Sequence, residues 1–402
     1  MENAAAHFPA YGDYTCFVSK TLVALYYIHE CKGSVLFYST TQINVVFRQA
    51  AYDAADDKNV IASPLGVLTL LSLYADGAEG PIRDELVAAL GAKDYEELSN
   101  SYSTLMQRFT SMDSTYLALA NKIYVQNQAK LNDKFEETAV NTYKSEVQAV
   151  DFNNKKETAD IINKWSDEKT KGNIKTPVQE SDLPDDAVAA LINVIFFQGH
   201  WSVPFNASET EEKNFHVDRT TTVKKPMMKL QRSLFYHESE ELGAKLIELP
   251  YQEAHFRMVV ILPNELDGLP AVLEKVLQKG ILNDTFDLNP AGREIIVEMP
   301  KFEIKSRLDL NTLLPKVGVS KIFSEPANGI LNVPVKVGKA FQEAVVKVNE
   351  EGALATAFTG FVMVPMSSNS EPPPPAEFKA DHPFVFAILH KDVILFAGTY
   401  TH

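Results

Sequence analysis

The sequence predicts an α+β fold built as one large domain. Helical periodicity dominates the first third of the chain, and short runs of β-branched and aromatic residues follow from about residue 190. Composition breaks lie only near residue 40 and within residues 365 to 376, so the 402 residues do not divide into two cores. We therefore expect an N-terminal extension over residues 1–40 and a single domain over residues 41–402.

Helices are predicted where apolar residues recur every three or four positions. One helix follows a short strand at residues 59–62, with Ser63 as its cap, Pro64 in its first turn and an end near Asp76. Three further helical stripes are formed by Ile43, Phe47, Ala50 and Ala54, by Phe135, Ala139, Tyr143 and Val147, and by Ile161, Ile162 and Trp165.

Strands are predicted in five short runs that are rich in β-branched and aromatic residues. These runs are Leu191 to Phe197, Arg257 to Leu262, Glu294 to Ile304, Ala344 to Val348 and Phe384 to Leu389. After the last run, only Lys391 and Asp392 separate two strands, which predicts a tight hairpin.

Charge and composition exclude several functions. The hydrophobic fraction is 45%, and no apolar run approaches the roughly 20 residues that a membrane span needs. With 38 Lys+Arg against 53 Asp+Glu, the net charge of -15 disfavours nucleic acid and anionic lipid as partners. The histidines lack HExxH spacing, and there is no CxxC pair, GxSxG elbow or glycine-rich phosphate loop. We therefore expect no enzyme activity, no metal and no cofactor.

The two cysteines and two glycosylation sequons bear on the compartment. Cys16 and Cys31 lie in the extension, so the predicted core is stable without disulfides, and the two thiols either pair or stay free. Residues 17–28 are mildly apolar but lack a basic start, which leaves a signal peptide open. Sequons at Asn206 and Asn283 would be glycosylated only in a secreted product. We expect an extracellular monomer.

A series of short motifs runs in order along residues 41–402. They are Asn59-Val-Ile-Ala-Ser-Pro-Leu65, Ala120-Asn-Lys-Ile-Tyr124, Asn193-Val-Ile-Phe-Phe-Gln-Gly-His-Trp201, Lys225-Pro-Met-Met228, Leu249-Pro-Tyr251, Ile261-Leu-Pro263, Met299-Pro-Lys-Phe302 and Asp381-His-Pro-Phe-Val-Phe386. In this order they resemble the motifs of the serpins, a family of serine protease inhibitors. The resemblance explains His382 as part of a strand-start signature better than as the base of a catalytic triad.

The segment after the strand Ala344 to Val348 also resembles a serpin feature, the hinge and reactive loop, here at about residues 350–378. The strand runs into two acids and a glycine, then into small and β-capable residues instead of turn formers. The resemblance implies that a protease cleaves the loop, whose hinge side then inserts into a neighbouring sheet and traps the enzyme. The implied hinge comprises Glu350, Glu351, Gly352, Ala353, Leu354, Ala355, Thr356, Ala357, Phe358 and Thr359.

The implied reactive bond is Met366-Ser367 if Gly352 matches the family's hinge glycine without a gap. An alternative register moves the bond to about Asn369. A methionine before the bond suits a serine protease of elastase-like or chymotrypsin-like preference. No Lys or Arg occurs between Gly352 and Lys379, which disfavours trypsin-like targets. The run Pro372 to Pro375 predicts a stiff extended strut beyond the bond.

Two departures from the family's inhibitory pattern leave the function open between two classes. Leu354 and Phe358 replace the small residues that the inhibitory hinge usually carries. In the buried polar cluster that controls sheet opening, Ser63 and Asn193 match the family, but Gln342 stands where His is usual.

A glycine, Gly66, also replaces the usual serine of this cluster, so we expect the cluster to be weakened. The sequence favours an inhibitor that acts as a suicide substrate. The alternative is a non-inhibitory protein of serpin fold, with a role as a protease substrate or in binding, transport or storage.

Overall fold

The computed structural model describes residues 59–110, 117–253, 255–279, 288–352 and 373–402. The predicted extension with Cys16 and Cys31 lies outside these ranges, as does the helical stripe that begins at Ile43. No helix within the described ranges is both long and apolar enough to cross a membrane.

Eight α-helices are present in the described ranges. They are α1 (Pro64–Gly77), α2 (Gly80–Ala89), α3 (Tyr95–Thr110), α4 (Asp133–Asn141), α5 (Lys155–Lys169), α6 (Leu269–Lys279), α7 (Leu310–Lys316) and α8 (Lys321–Ser324). Two single turns of 3-10 helix occur at Glu180–Asp182 and Ala207–Glu209.

The same ranges contain fourteen strands. They are β1 (Val60–Ala62), β2 (Leu117–Gln126), β3 (Glu146–Val150), β4 (Ala189–Phe197), β5 (Glu211–His216), β6 (Thr222–Ser239), β7 (Ala244–Pro250), β8 (Phe256–Pro263), β9 (Asn289–Pro300), β10 (Phe302–Asp309), β11 (Phe341–Val348), β12 (Ala376–Lys379), β13 (Phe384–His390) and β14 (Val393–Tyr400). Together with the helices they form the α+β fold that the sequence predicts.

Nine strands form the largest sheet, in the order β1-β14-β13-β8-β7-β6-β9-β12, with β5 paired to β6. All its pairings are antiparallel except that of β12 with β9. Every residue of β13 and β14 is buried, so both faces of this C-terminal hairpin are covered. The hairpin turn is as tight as predicted: His390 pairs with Val393, and Lys391 takes a φ of 54°, in the left-handed region that such turns require.

Two smaller sheets lie side by side without pairing to each other. One has the order β3-β2-β4, and the other consists of β10 and β11. The neighbouring edges are β4 and β11, which are in contact but share no strand pairing among the described residues. Their backbone groups therefore face an unpaired gap, and unpaired strand edges are ready templates for another strand.

The strands on either side of the gap run in the same direction. Near the start of β11, Gln342 approaches Gly66, which Asn193 of β4 also approaches. Beyond the end of β11, Glu351 accepts a hydrogen bond from Trp201, which lies beyond the end of β4. The starts and ends of the two strands thus lie at the same ends of the gap.

Helix α1 is the buried support of this region and contacts both β14 and β4. All but two of its 14 residues are buried, as is usual for a helix that is apolar on every side. The predicted cap is confirmed: Ser63 Oγ accepts from Gly66 N at 3.1 Å, and Pro64 occupies the first turn, where no N–H is needed.

All five predicted strands are present, but two predicted extents are wrong. The run Glu294 to Ile304 is two strands, because the chain leaves the ladder at Lys301, whose N–H bonds to Pro226 O. The helix predicted from Phe135 to Val147 ends at Asn141.

The physical reason for the shorter helix is backbone conformation and tertiary pairing. Lys144 has a φ of 52°, which a right-handed helix does not allow. Val147 lies on β3 and pairs with Ile123 of β2, so the sheet overrides the helical spacing.

Candidate functional site

A polar lock joins the start of β11 to the start of α1. Ser63 N donates to Gln342 Oε1 at 2.8 Å, and Gln342 Nε2 donates to Ser63 O at 2.8 Å. Ser63 Oγ in turn donates to Leu395 O at 2.7 Å. Both Ser63 and Gln342 are buried, so breaking this lock would leave polar groups unpaired at about 1–3 kcal/mol each.

The missing side chain at Gly66 makes room for this lock. A Cβ at Gly66 would lie 2.6 Å from Asn193 Oδ1 and 3.0 Å from Gln342 Nε2. The two departures from the family pattern therefore belong together, because the space at Gly66 is needed by both amides. The expectation of a weakened cluster is not supported by the bonds of Gln342, whose oxygen and nitrogen are both engaged.

Asn193 belongs to a second polar pair on the β4 side of the gap. Its Nδ2 donates to Asn121 Oδ1 at 2.8 Å, and Asn121 Nδ2 donates to Tyr143 O at 2.8 Å. Asn121 is buried on β2, opposite Asn193 in the ladder. Among the described hydrogen bonds, none joins Asn193 to Ser63 or Gln342, so the predicted cluster consists of two halves, one on each side of the gap.

The other end of the gap is closed by the residues that follow β11. Trp201 N donates to Glu351 O at 3.2 Å, and Phe205 N donates to Glu350 O at 2.8 Å. The indole Nε1 of Trp201 donates to Asn349 O at 2.9 Å. These three bonds hold the start of the predicted hinge against the segment that follows β4.

The carboxylate of Glu350 ties the hinge to two further segments. Thr210 Oγ1 donates to Glu350 Oε1 at 2.9 Å, and Lys301 Nζ donates to Glu350 Oε2 at 2.9 Å. Burial alone would raise the pKa of Glu350, but the hydrogen bonds from Lys301 and Thr210 outweigh it and lower that pKa below its usual value. Glu350 is therefore a charged anchor at the mouth of the gap.

Gly352 reverses the chain at this mouth. Gly352 N donates to Asn349 O at 3.3 Å, closing a turn, and Gly352 takes a φ of 82°. A Cβ there would lie 2.5 Å from Gly199 O and 2.5 Å from Trp201 N, so only glycine fits. A strand that continued from Gly352 into the gap would run antiparallel to both β4 and β11.

The remaining predicted site residues divide into described and undescribed positions. Ala353 to Thr359, the bond Met366-Ser367, its alternative near Asn369 and the sequon at Asn283 lie outside the described ranges. Asn206 is exposed at the start of a 3-10 turn, where its Nδ2 donates to Glu209 Oε1 at 2.9 Å.

His382 is held by structural partners. Its Nδ1 lies 2.9 Å from Asp381 Oδ1 and its Nε2 lies 2.8 Å from Pro263 O. The ring is buried, and both of its nitrogens are engaged between the start of β13 and the end of β8. The geometry therefore supports the structural interpretation of the Asp381-His382 pair over a catalytic one.

Comparison with known proteins identifies the family. The family model for serpin (serine protease inhibitor) matches residues 40–402. The chain belongs to the serpin family. Among serpin relatives, Antichymotrypsin-2 of Bombyx mori is 32% identical over 346 residues, which cover 85% of this chain and 92% of the relative. Alaserpin of Manduca sexta is 31% identical over 369 residues, covering 90% and 93%.

Solved serpin structures match the fold over nearly the whole chain. Cleaved Serpin 42Da superposes with a TM-score of 0.81 at 27% identity, covering 92% of this chain and 98% of that one. Human thyroxine-binding globulin superposes with a TM-score of 0.79 at 25% identity, covering 92% and 99%. The predicted serpin fold is confirmed, and the relatives' names confirm the predicted class, a serpin-type serine protease inhibitor.

Four residues of the serpin site were not assigned a role from the sequence. They are Asn121, Thr210, Lys301 and Trp201, whose indole bond to Asn349 O was not expected. Asn121 and Lys301 stand inside motifs that resemble the family, and Asn121 follows the apolar run Leu117 to Ala120 at the start of its strand. This break in the apolar run was a usable signal, whereas nothing in the local sequence marks Thr210.

Proposed function

We propose that this serpin inhibits a serine protease as a suicide substrate, through cleavage of its loop and insertion of the hinge into the gap between β4 and β11. The observation that carries the proposal is the pair of unpaired, like-directed strand edges with the Gly352 turn at their mouth. A strand that entered there would find hydrogen-bond partners on both sides.

The energetics favour insertion. Each backbone hydrogen bond gained is worth about 0.5–1.5 kcal/mol net, so a strand paired along both edges would gain several of them. Roughly 15 inserted residues at about 3.3 Å each would move an attached protease by about 50 Å. Ala353, Ala355, Ala357 and Thr359 would share one face of the inserted strand, and no charge would be buried with them.

The loop sequence supports a protease of elastase-like or chymotrypsin-like preference, with Met366 as the specificity residue and Ser367 after the bond. Relatives carry the names Antichymotrypsin-2 and Antitrypsin, so this preference rests on the loop and not on the names. The lack of Lys and Arg between Gly352 and Lys379 favours the same choice.

An extracellular place of action is part of the proposal. Asn206 is exposed and carries a sequon, which a secreted product would expose to glycosylation. A mass shift that glycosidase treatment removes, found on the protein secreted from eukaryotic cells, would support this part. Secretion without any glycan would contradict glycosylation at Asn206 and Asn283 but would leave the extracellular location standing.

The test is incubation with elastase, chymotrypsin, trypsin and subtilisin at nearly equal concentrations, followed by denaturing gel electrophoresis and intact mass. We expect a denaturant-stable adduct with elastase or chymotrypsin and a released C-terminal peptide that begins at Ser367. Loop cleavage that leaves each protease fully active and unattached would contradict inhibition. The non-inhibitory alternative, which the superposition with thyroxine-binding globulin keeps open, would then take its place.

A further inference from the structure

The segment between α5 and β4, residues 170–188, is here called the connector. Helix α5 and the connector share a small apolar cluster with the β3-β2-β4 sheet, separate from the main core. Its buried members are Tyr124, Val150, Phe152, Ala159, Ile162, Val178 and Leu183. Helix α5 is thus attached to the β2 and β3 side of the gap.

An ion pair attaches the connector to the opposite side of the gap. Asp182 Oδ2 lies 2.5 Å from Arg307 Nη2, and Arg307 belongs to β10. Phe341 is the first residue of β11, and the guanidinium of Arg307 lies 4.2 Å from the centre of its ring. Pro184 also contacts the β11 side. Gly338 lies just before β11, and a Cβ added to it would lie 3.0 Å from Pro184 Cγ.

The contacts with Arg307 and Gly338 place the connector across the gap. Strand β4 lies between β2 and β11, and the connector runs from α5 to the β10 and β11 side before it enters β4 at Ala189. The crossing lies at the start of β11, whereas the hinge at Gly352 follows its end. An inserting strand would therefore reach the connector after about 11 residues, or about 36 Å.

Insertion would pull this ion pair apart. A new strand between β4 and β11 would separate them by about 4.8 Å more than before. Asp182 is carried by the β4 side and Arg307 by the β11 side, so a contact of 2.5 Å would not survive the widening.

We propose that the Asp182 to Arg307 pair, seated on Phe341, is a strap that sets how fast and how far the loop inserts. It would thereby determine whether cleavage ends in trapping or in release of the active protease. Asp182 and Arg307 are positioning residues for this outcome and do not touch the protease. The inference rests on the proposed function, because it assumes that the gap accepts a strand.

The connector also offers a control ion pair, at an aspartate that is more exposed than Asp182. Lys155 Nζ and Asp185 Oδ1 also form an ion pair at 2.5 Å, and Asp185 belongs to the same connector. That pair joins the connector to α5 and does not cross the gap. Asp182→Asn and Arg307→Gln each break the strap. Asp185→Asn removes a charge from the connector and leaves the Asp182 to Arg307 pair in place.

The experiment measures uptake of an acetylated synthetic peptide with the sequence of residues 353–364 by the intact protein, followed by native gel shift. We expect Asp182→Asn and Arg307→Gln each to speed uptake by about two- to fivefold, the upper part of the range for one ion pair. Asp185→Asn should stay within about twofold of the wild type. The swap Asp182→Arg with Arg307→Asp should return the rate toward that of the wild type.

Melting temperatures of the variants without peptide separate a strap from general weakening. The strap would be rejected if Asp182→Asn and Asp185→Asn took up the peptide at equal rates. It would also be rejected if the uptake rates of the variants simply followed their melting temperatures. Either result would leave the proposed function intact. If the wild type neither takes up the peptide nor forms a protease adduct, the proposed function fails, and the strap fails with it.

Discussion

Gln342 forms hydrogen bonds with both backbone groups of Ser63, each at 2.8 Å, and so fastens the first turn of α1 to the start of β11. The amide of Gln342 thus bonds the N–H and the C=O of one residue, as a paired residue does in an antiparallel β-ladder. The lock has no titratable member, so it holds over a wide range of pH.

Gln342→Leu should destabilise the protein by about 1–3 kcal/mol, because Ser63 N would be left buried without a partner, while Ser63 O would keep only its bond from Val67 N at 3.3 Å. Urea unfolding measures this, with Gln231→Leu as a control at an exposed glutamine whose amide bonds Glu294. A loss below about 0.5 kcal/mol, the usual effect of an exposed substitution, would show that the lock is not a stabilising element.

Gly66→Ala should cost about 1–3 kcal/mol, since the new Cβ would lie 2.6 Å from Asn193 Oδ1. The cost should shrink in an Asn193→Ala background, where that contact is absent. A double-mutant cycle checks the coupling, which we expect to exceed about 0.5 kcal/mol. Additive costs would mean that the backbone moves to accept the methyl group.

Glu350→Gln should remove part of the acid sensitivity of folding. The pKa of Glu350 is lowered in the folded protein, so its stabilising contribution is present above the unfolded carboxyl value of 4.5 and is lost as pH falls below that value. Stability curves for the variant should therefore be shallower below pH 4.5. Glu351→Gln, an exposed neighbour, is the control, and equal curves for the two variants would contradict the role of Glu350 as a charged anchor.

His390 should produce a second pH effect at milder acidity. The ring is buried, and burial, together with the charges of Arg108 and Lys391, lowers its pKa from 6.5 to about 4. The neighbouring His255 adds to this lowering, and Asp392 opposes it.

Since the unfolded chain takes up this proton first, stability is full above pH 6.5 and falls as pH decreases toward 4. The loss is on the order of 2–3 kcal/mol. His390→Leu should flatten the stability curve across this window, and His402→Leu, at the exposed C terminus, should leave it unchanged. A curve that keeps its slope in His390→Leu would assign the acid sensitivity to other groups.

Met366→Arg should redirect the loop to trypsin. A trypsin-like primary pocket needs Lys or Arg before the bond, and the loop has neither between Gly352 and Lys379. We expect a trypsin adduct and loss of the elastase or chymotrypsin adduct, measured by gel and intact mass. Asn369→Arg is the matched variant for the alternative register, and a trypsin adduct with that variant alone would move the reactive bond there.

Several features of the site follow from local chemistry and could be predicted. Ser63 followed by Pro64 and an apolar run favours a helix start, and a two-residue turn after His390 permits only a tight hairpin. In each case the physical requirement acts within a few residues, so the sequence alone contained it.

The contacts that close and cross the gap could not be predicted in this way. Thr210 lies 140 positions from Glu350 in the chain, and Asp182 meets Arg307 only after the connector has crossed to the other sheet. Val147 shows the same principle, because pairing with β2 overrode its helical spacing. The sequence by itself determined the α+β class, most of the element types and the C-terminal hairpin. The tertiary structure alone decided which distant side chains meet at the gap, because those contacts depend on how separately formed strands are brought side by side.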